Sequence, residues 1–311
     1  MRTYLLFAAA AGLAAAQSVA TTSVPDLNGN PVPGSTTVVT DGIVTDLRQS
    51  INGREVPLEQ VEQKVLSQSG NTTVTERLIR HYGANGALVS TDRVVTEETK
   101  TGEGESTLHS TTYRSDLSGN MTAAERKTIE THKDGATTVT ETAVEKPSLN
   151  GSFEVAEKRT ATSAPEGDGK RESETVLLRN ANGDLYESQR IATTETKDGD
   201  KVVRNTAIYE PNVDGQMSLN RQNVVKTTTN PDGTSSQEIE VFGRPSNAQS
   251  QDMGAAPTLT EKRIIERQKS SGGAIVETQS VQLPSVSDPG KLTAARTVSE
   301  TVCRGECDKK P

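Results

Sequence analysis

Glycines recur through this chain on a fixed beat, and the beat restricts the fold more than any other feature. Gly53, Gly86, Gly119, Gly151, Gly183 and Gly215, mostly in Asn-Gly or Asp-Gly pairs, are spaced by 33, 33, 32, 32 and 32 residues. Repeated supersecondary units keep such a spacing, whereas an unstructured chain has no cause to. A second set, Gly104, Gly135, Gly169, Gly199 and Gly233, falls 18, 16, 18, 16 and 18 residues after the preceding member of the first set. Tight hairpin turns require positive φ, which glycine adopts without steric cost. Both sets therefore read as turns, and the even offsets keep each strand's side chains on their proper faces.

Between the turns lie Thr-, Val- and Ile-rich segments such as Thr137 to Thr142 and Ile191 to Thr196, which favour extended backbone. Large apolar residues stand two places after the first-set turns at Leu88, Met121, Phe153, Leu185 and Met217, and after Pro257 and Gly290, which take the same role, at Leu259 and Leu292; the first unit breaks the rule with Glu55. Six places further on come Val94, Ile191, Ile265 and Val298. In an unbroken strand this even separation puts both residues on one face, so a thin apolar stripe is expected there, with the other face wet. The fold class expected is all-β: an extended antiparallel meander of hairpin repeats of about 32 residues in a single-layer or thin-core twisted sheet. Some fourteen strands at about 4.8 Å each would make a ribbon roughly 65 Å across.

Composition supports a thin core. Only 31% of residues are apolar, there is no Trp, and the chain has three Phe and five Tyr. So few large side chains leave a largely disordered chain as the alternative. Pro57 to Leu66 departs from the strand pattern, because Leu58, Val61 and Val65 fit helical spacing, and it leans to helix.

Met1 to Ala16, one cation followed by an apolar run from Leu5, has the layout of a secretory signal peptide. The run is too short to span a bilayer. Five segments follow from these readings: a leader at 1–16, a turn-rich lead-in with a capping hairpin about Asp41-Gly42 at 17–52, tandem hairpin repeats at 53–242, a Ser/Gln/Gly/Pro-rich insertion at 243–257, and final repeats at 258–311. An extracytoplasmic location is expected, whether periplasmic, cell-surface or secreted.

Cys303 and Cys307 enclose Gly305 where an inner turn is due. An exported chain meets an oxidising compartment, so a structural disulfide closing that turn is expected. His81, His109 and His132 share no motif, and no catalytic motif is present. The reading is therefore non-enzymatic, with no catalytic, metal or cofactor-binding residue and no cofactor. Acidic turns such as Asp198-Gly199-Asp200 would bind Ca²⁺ weakly at most, since turn formation accounts for them. The formal net charge of -8 is finely mixed, which offers nucleic acid no basic patch.

Tyr82 to Leu88 resembles one unit of the bacterial Tyr-Asp repeats that build toxin-enclosing shells. The period here is longer and most units lack the Tyr-Asp pair, so the likeness is one of hairpin grammar. The function expected is a structural or macromolecule-binding role at the cell envelope or outside the cell, with a protein, polysaccharide or envelope component as partner. A fibre or matrix subunit joined through edge strands is the alternative. An unrecognised enzyme and a transmembrane β-barrel rank lower, the barrel because it needs a lipid-facing apolar row on every strand and aromatic girdles.

Overall fold

The computed structural model describes residues 18–23, 36–41, 44–51, 54–116, 118–243, 257–270, 272–288 and 291–304. The expected signal peptide at 1–16, Gly53, Gly290, Gly305, Cys307 and residues 244–256 of the insertion lie outside them. The described residues form eighteen strands. They are β1 (Ser18–Ser23), β2 (Thr36–Asp41), β3 (Val44–Ile51), β4 (Arg54–Ser69), β5 (Thr72–Tyr82) and β6 (Leu88–Gly102). Next come β7 (Glu105–Ser115), β8 (Met121–Asp134), β9 (Thr137–Pro147), β10 (Phe153–Glu166), β11 (Gly169–Arg179) and β12 (Leu185–Asp198). The last six are β13 (Lys201–Pro211), β14 (Met217–Thr229), β15 (Ser235–Gly243), β16 (Thr258–Lys269), β17 (Ile275–Gln282) and β18 (Arg296–Arg304).

The all-β antiparallel meander of hairpins is therefore present, with each strand paired to its sequence neighbours. Its two ends also pair: β1 lies antiparallel to β18, with Val19 opposite Arg304 and Ser23 opposite Glu300. The expected ribbon is a closed ring. Eighteen strands about 4.8 Å apart and tilted by about 40° make a circular barrel roughly 36 Å across. Among the described residues no large side chain is fully buried, and close contacts run between neighbouring strands. The described wall does not fold against itself, so among the described residues the barrel is hollow.

Pro57 to Leu66, read as leaning to helix, belongs to β4. Its long pairing with β5 from Glu59–His81 to Ser69–Thr72 outweighs local spacing, because backbone ladder bonds are indifferent to helical periodicity. The inner turn before β11 also differs from the sequence reading. Gly167 carries the positive φ of 56°, while Gly169 opens β11 opposite Glu166. With Gly167 as the turn residue its offset from Gly151 is 16, matching Gly135 and Gly199. The outer turns, those of the first glycine set, lie at the opposite end of the wall from the inner turns of the second set and share another form. In Asn180 to Asp184, Gly183 N–H donates to the Asn180 carbonyl at 3.1 Å, and Asn180 Oδ1 accepts from the N–H groups of Asn182 and Asp184 at 2.9 and 3.0 Å.

Every even-numbered strand from β4 to β18 carries an unpaired extra residue near its start, and β4 and β6 carry a second near their ends. In β12, Val176 faces Gln189 but Leu177 faces Glu187, leaving Ser188 over; Val89, Ala124, Ala156, Asn220, Thr260 and Val298 are left over in the same way. The hydroxyls of Ser188 and Thr260 donate to the carbonyls of Val176 and Val241 on the partner strand. Such bulges bend a strand and raise its twist, which supplies the curvature the ring needs. They also reverse the facing of side chains across them. Leu185 and Ile191, expected on one face, stand on opposite faces, as do Leu88 and Val94, and Leu259 and Ile265.

Candidate functional site

Antiparallel partners share a face, so the pairings assign every residue of the wall to one of two surfaces. On one lie Val56, Val176, Thr193, Val241 and Ile275, which are buried. On the other, exposed residues recur in mid-strand: Glu97, Arg126, Glu130, Lys158, Arg171 and Arg190. Side chains crowd on the concave side of a curved sheet and splay on the convex side. The first surface is therefore the lumen and the second the outside.

The lumen surface combines three kinds of group. Aliphatic side chains run round the wall, with Ile191 opposite Ile208, Leu108 opposite Ile129 and Val61 opposite Ile79. Hydroxyl pairs bridge adjacent strands, with Thr193 and Thr206 at 3.1 Å and Thr131 and Thr140 at 3.3 Å. Ion pairs cross the wall: Arg204 to Glu172 at 2.8 Å and Arg159 to Glu174 at 3.1 Å. Glu157 binds the same Arg159 guanidinium and is the first cause, with Glu174 after it, of that group's raised pKa. A hollow of about 400 Å³ opens among Thr140, Ser163, Glu172, Glu174, Thr193 and Arg204. These residues escaped the sequence reading, although Glu172 and Arg204 are 32 residues apart. Opposite charges at equivalent places of consecutive units were the signal.

The outside of the wall is charged at mid-height. Glu76 on β5 is 7% exposed and binds Lys64 Nζ on β4 at 2.6 Å and Arg93 Nε on β6 at 2.5 Å. Hydrogen bonds from Lys64, then from Arg93, hold its carboxyl below the ordinary value. Glu238 is lowered likewise, first by Lys262, and Lys226 joins the same cluster. Groups with depressed pKa values stabilise the fold above the ordinary carboxylate range and lose that contribution as pH falls through the lowered values. The melting temperature should therefore hold between neutrality and about pH 5 and fall below about pH 4. Glu76→Gln should lower the neutral-pH melting temperature by about 2–4 °C and flatten part of the acid loss. Circular dichroism melts at both pH values check this.

His81 faces the lumen beside Glu59 Oε2 at 3.3 Å and Asp92 Oδ2 at 3.8 Å. His109 is outside, with Nδ1 3.3 Å from the Thr128 hydroxyl, and His132 is outside and exposed. The structure does not bring the three together. In the turn after β7 a carboxylate closes its own turn: Asp116 Oδ1 accepts from Ser118 and Asn120 N–H at 2.8 and 2.9 Å. The bond from Asn120 N–H is the first cause of the lowered Asp116 pKa. Cys303 lies in β18 opposite Ile275 and, across the seam, Ala20. Its expected partner Cys307 is outside the described residues.

No family model matches the chain, and no curated protein sequence matches it. Solved structures do. The crystal structure of Pseudomonas aeruginosa OccK2 (OpdF) in complex with glucuronate aligns with a TM-score of 0.51 at 9% identity, covering 94% of this chain and 97% of that one. OccK2 without that ligand aligns with a TM-score of 0.49 at 9% identity, over 94% and 96%. A porin-like protein from Bacteroides uniformis gives 0.14 at 10% identity, over 80% and 96%. At this identity the likeness to the glucuronate complex is one of fold, and it agrees with the ring found in the strand pairings.

The expected structural or macromolecule-binding repeat protein is thereby overturned, and so is the fibre alternative. An extended repeat surface and free edge strands were the premises of both readings. Pairing of β1 with β18 removes the edges, and the fold is a barrel shared with OccK2 in complex with glucuronate, not that of a secreted ribbon. No helix among the described residues is long and apolar enough to cross a membrane, which says nothing of strands. The outer face departs from a lipid-embedded wall, however. Lys158, Arg171, Arg190 and Lys226 are exposed there, and Arg or Lys facing the middle of a bilayer costs about 2–4 kcal/mol apiece.

Proposed function

We propose that the chain is a non-enzymatic transport component of the cell envelope, a barrel whose lumen gives small polar solutes a path. The hollow, closed wall carries this reading, because a continuous ring with a hydroxyl- and ion-pair-bearing inner surface separates a column of water from its surroundings. Glucuronate, bound by the OccK2 barrel, sets the class of the first solute to try: monosaccharide-sized, with several hydroxyls and a charge. Thr193, Thr206 and Arg204 supply matching donors and acceptors. The signal-like leader supports an extracytoplasmic position.

Access to the lumen tests this. In Thr140→Cys the thiol faces inward, and in Thr160→Cys it faces outward. A small maleimide should label both. A polyethylene glycol maleimide wider than the lumen should label Thr160→Cys at a similar rate and Thr140→Cys about tenfold more slowly. Equal labelling of both by the wide reagent would show an open wall. Failure of the small reagent at Thr140→Cys would show a filled lumen, and either result would end the reading.

A further inference from the structure

We propose that the barrel rests on an anionic lipid membrane by one rim, and that only this rim enters the lipid. Apart from the leader's Phe7 and Tyr4, the chain has six aromatic residues. Five of them, Tyr82, Tyr113, Phe153, Tyr209 and Phe242, stand on the outer face at the end of the wall formed by the outer turns. The register sets them there against Leu88, Ala123, Pro147, Leu219 and Leu259 respectively. In each hairpin the bulge lies on the even-numbered strand, so it is Phe153 and the partners Leu88, Ala123, Leu219 and Leu259 that it turns outward, while the aliphatic residues beyond it face the lumen. Leu149 and Val213, in two turns of the same rim, are 111% and 92% exposed.

The belt occupies five of the six hairpins from β5–β6 to β15–β16, with Leu185 opposite Arg179 on the outer face of the sixth, β11–β12, and together these span about two-thirds of the ring. A second copy, convex like the first, would meet only one or two hairpins at a time and fall short of the roughly 800 Å² per partner of a stable interface. A flat, deformable lipid surface meets the whole belt at one height. Tyr and Phe at the edge of an apolar band suit the membrane interface. Charge fits as well. The Arg93 guanidinium lies 5.5 Å from the centre of the Tyr113 ring and that of Arg126 lies 4.1 Å from the centre of the Phe153 ring. Arg93 stands opposite Tyr113 in the register and also binds Glu76, and Arg126 stands one outward-facing pair inside Phe153, so both cations lie at or next to the belt, where lipid phosphates would meet them. Beyond them the charged mid-height wall resists deeper insertion. This inference stands apart from the passage reading, since a filled lumen would leave the belt in place.

The chain contains no Trp, so single Trp substitutions report cleanly. Phe242→Trp and Leu149→Trp place the probe on the rim, the second at a turn position too exposed to disturb folding. Thr160→Trp places it outside at mid-height. With vesicles of phosphatidylcholine and phosphatidylglycerol carrying brominated chains, the rim probes should shift to the blue and lose roughly half or more of their emission. The Thr160→Trp emission should stay unchanged. Quenching at all three positions would mean a spanning barrel, and quenching at none would mean no docking. Either overturns the proposal, while the maleimide test of the lumen gives its own independent answer.

Discussion

A mature chain that begins at Val24, and so lacks β1, should fail to close and should self-associate. β1 pairs on one side with β18, from Val19–Arg304 to Ser23–Glu300, and on the other with β2, from Ser18–Thr40 to Thr22–Thr36. Its removal uncovers two strand edges, each a row of unpaired N–H and C=O groups able to template another chain. Light scattering after size exclusion should show monomers for the chain starting at Gln17 and oligomers for the shortened one. Amide exchange along the β18 edge that faces β1 should quicken by roughly a hundredfold or more. In the shortened chain Thr140→Cys should also react with the wide maleimide. A monomeric product with a protected β18 edge would show that the seam does not hold the ring.

Gly169→Ala should be far more damaging than Gly167→Ala, although the two glycines sit two residues apart beside one turn. A Cβ at Gly169 would lie 1.7 Å from the Glu195 carbonyl oxygen on β12, backbone that no side-chain rotation can clear. The β11–β12 ladder, which pairs Lys170 with Glu195 next to this point, must separate. A loss of about 3 kcal/mol or more is expected, at the upper end for overpacking. A Cβ at Gly167 meets nothing within 4 Å, and its cost is the left-handed backbone alone, about 1 kcal/mol. Urea unfolding of both variants against the parent measures the difference. Equal losses would return Gly169 to the ordinary turn role that its place in the sequence suggests.

Gly169 also shows where sequence reading reached its limit. Its recurrence marked a hairpin correctly, but periodicity cannot tell a glycine needed for positive φ from one needed for close backbone approach. The lumen was hidden for a related reason. Leu185 and Ile191 are six residues apart, and two-residue alternation puts them together. The extra residue Ser188 puts one outside and the other inside, and a small polar residue in a strand carries no local mark of a bulge. The apolar residues that looked like one thin stripe are divided between an inner wall and an outer rim. The Arg204–Glu172 pair became visible as a lumen feature only after that division.

What the sequence by itself determined is the alternation of turn and strand. Glycines at positive φ, Asn and Asp side chains closing their own turns, and Thr, Val and Ile between them are local chemistry, complete within each unit of about 32 residues. Ring closure was decided by tertiary structure. β1 and β18 lie at opposite ends of the chain and join through backbone hydrogen bonds that are indifferent to side-chain identity, so no motif announces the contact. Whether a meander stays open or closes depends on curvature summed over many strands. Here a bulge in every outer hairpin from β3–β4 to β17–β18 supplies the bend that brings the first strand to the last.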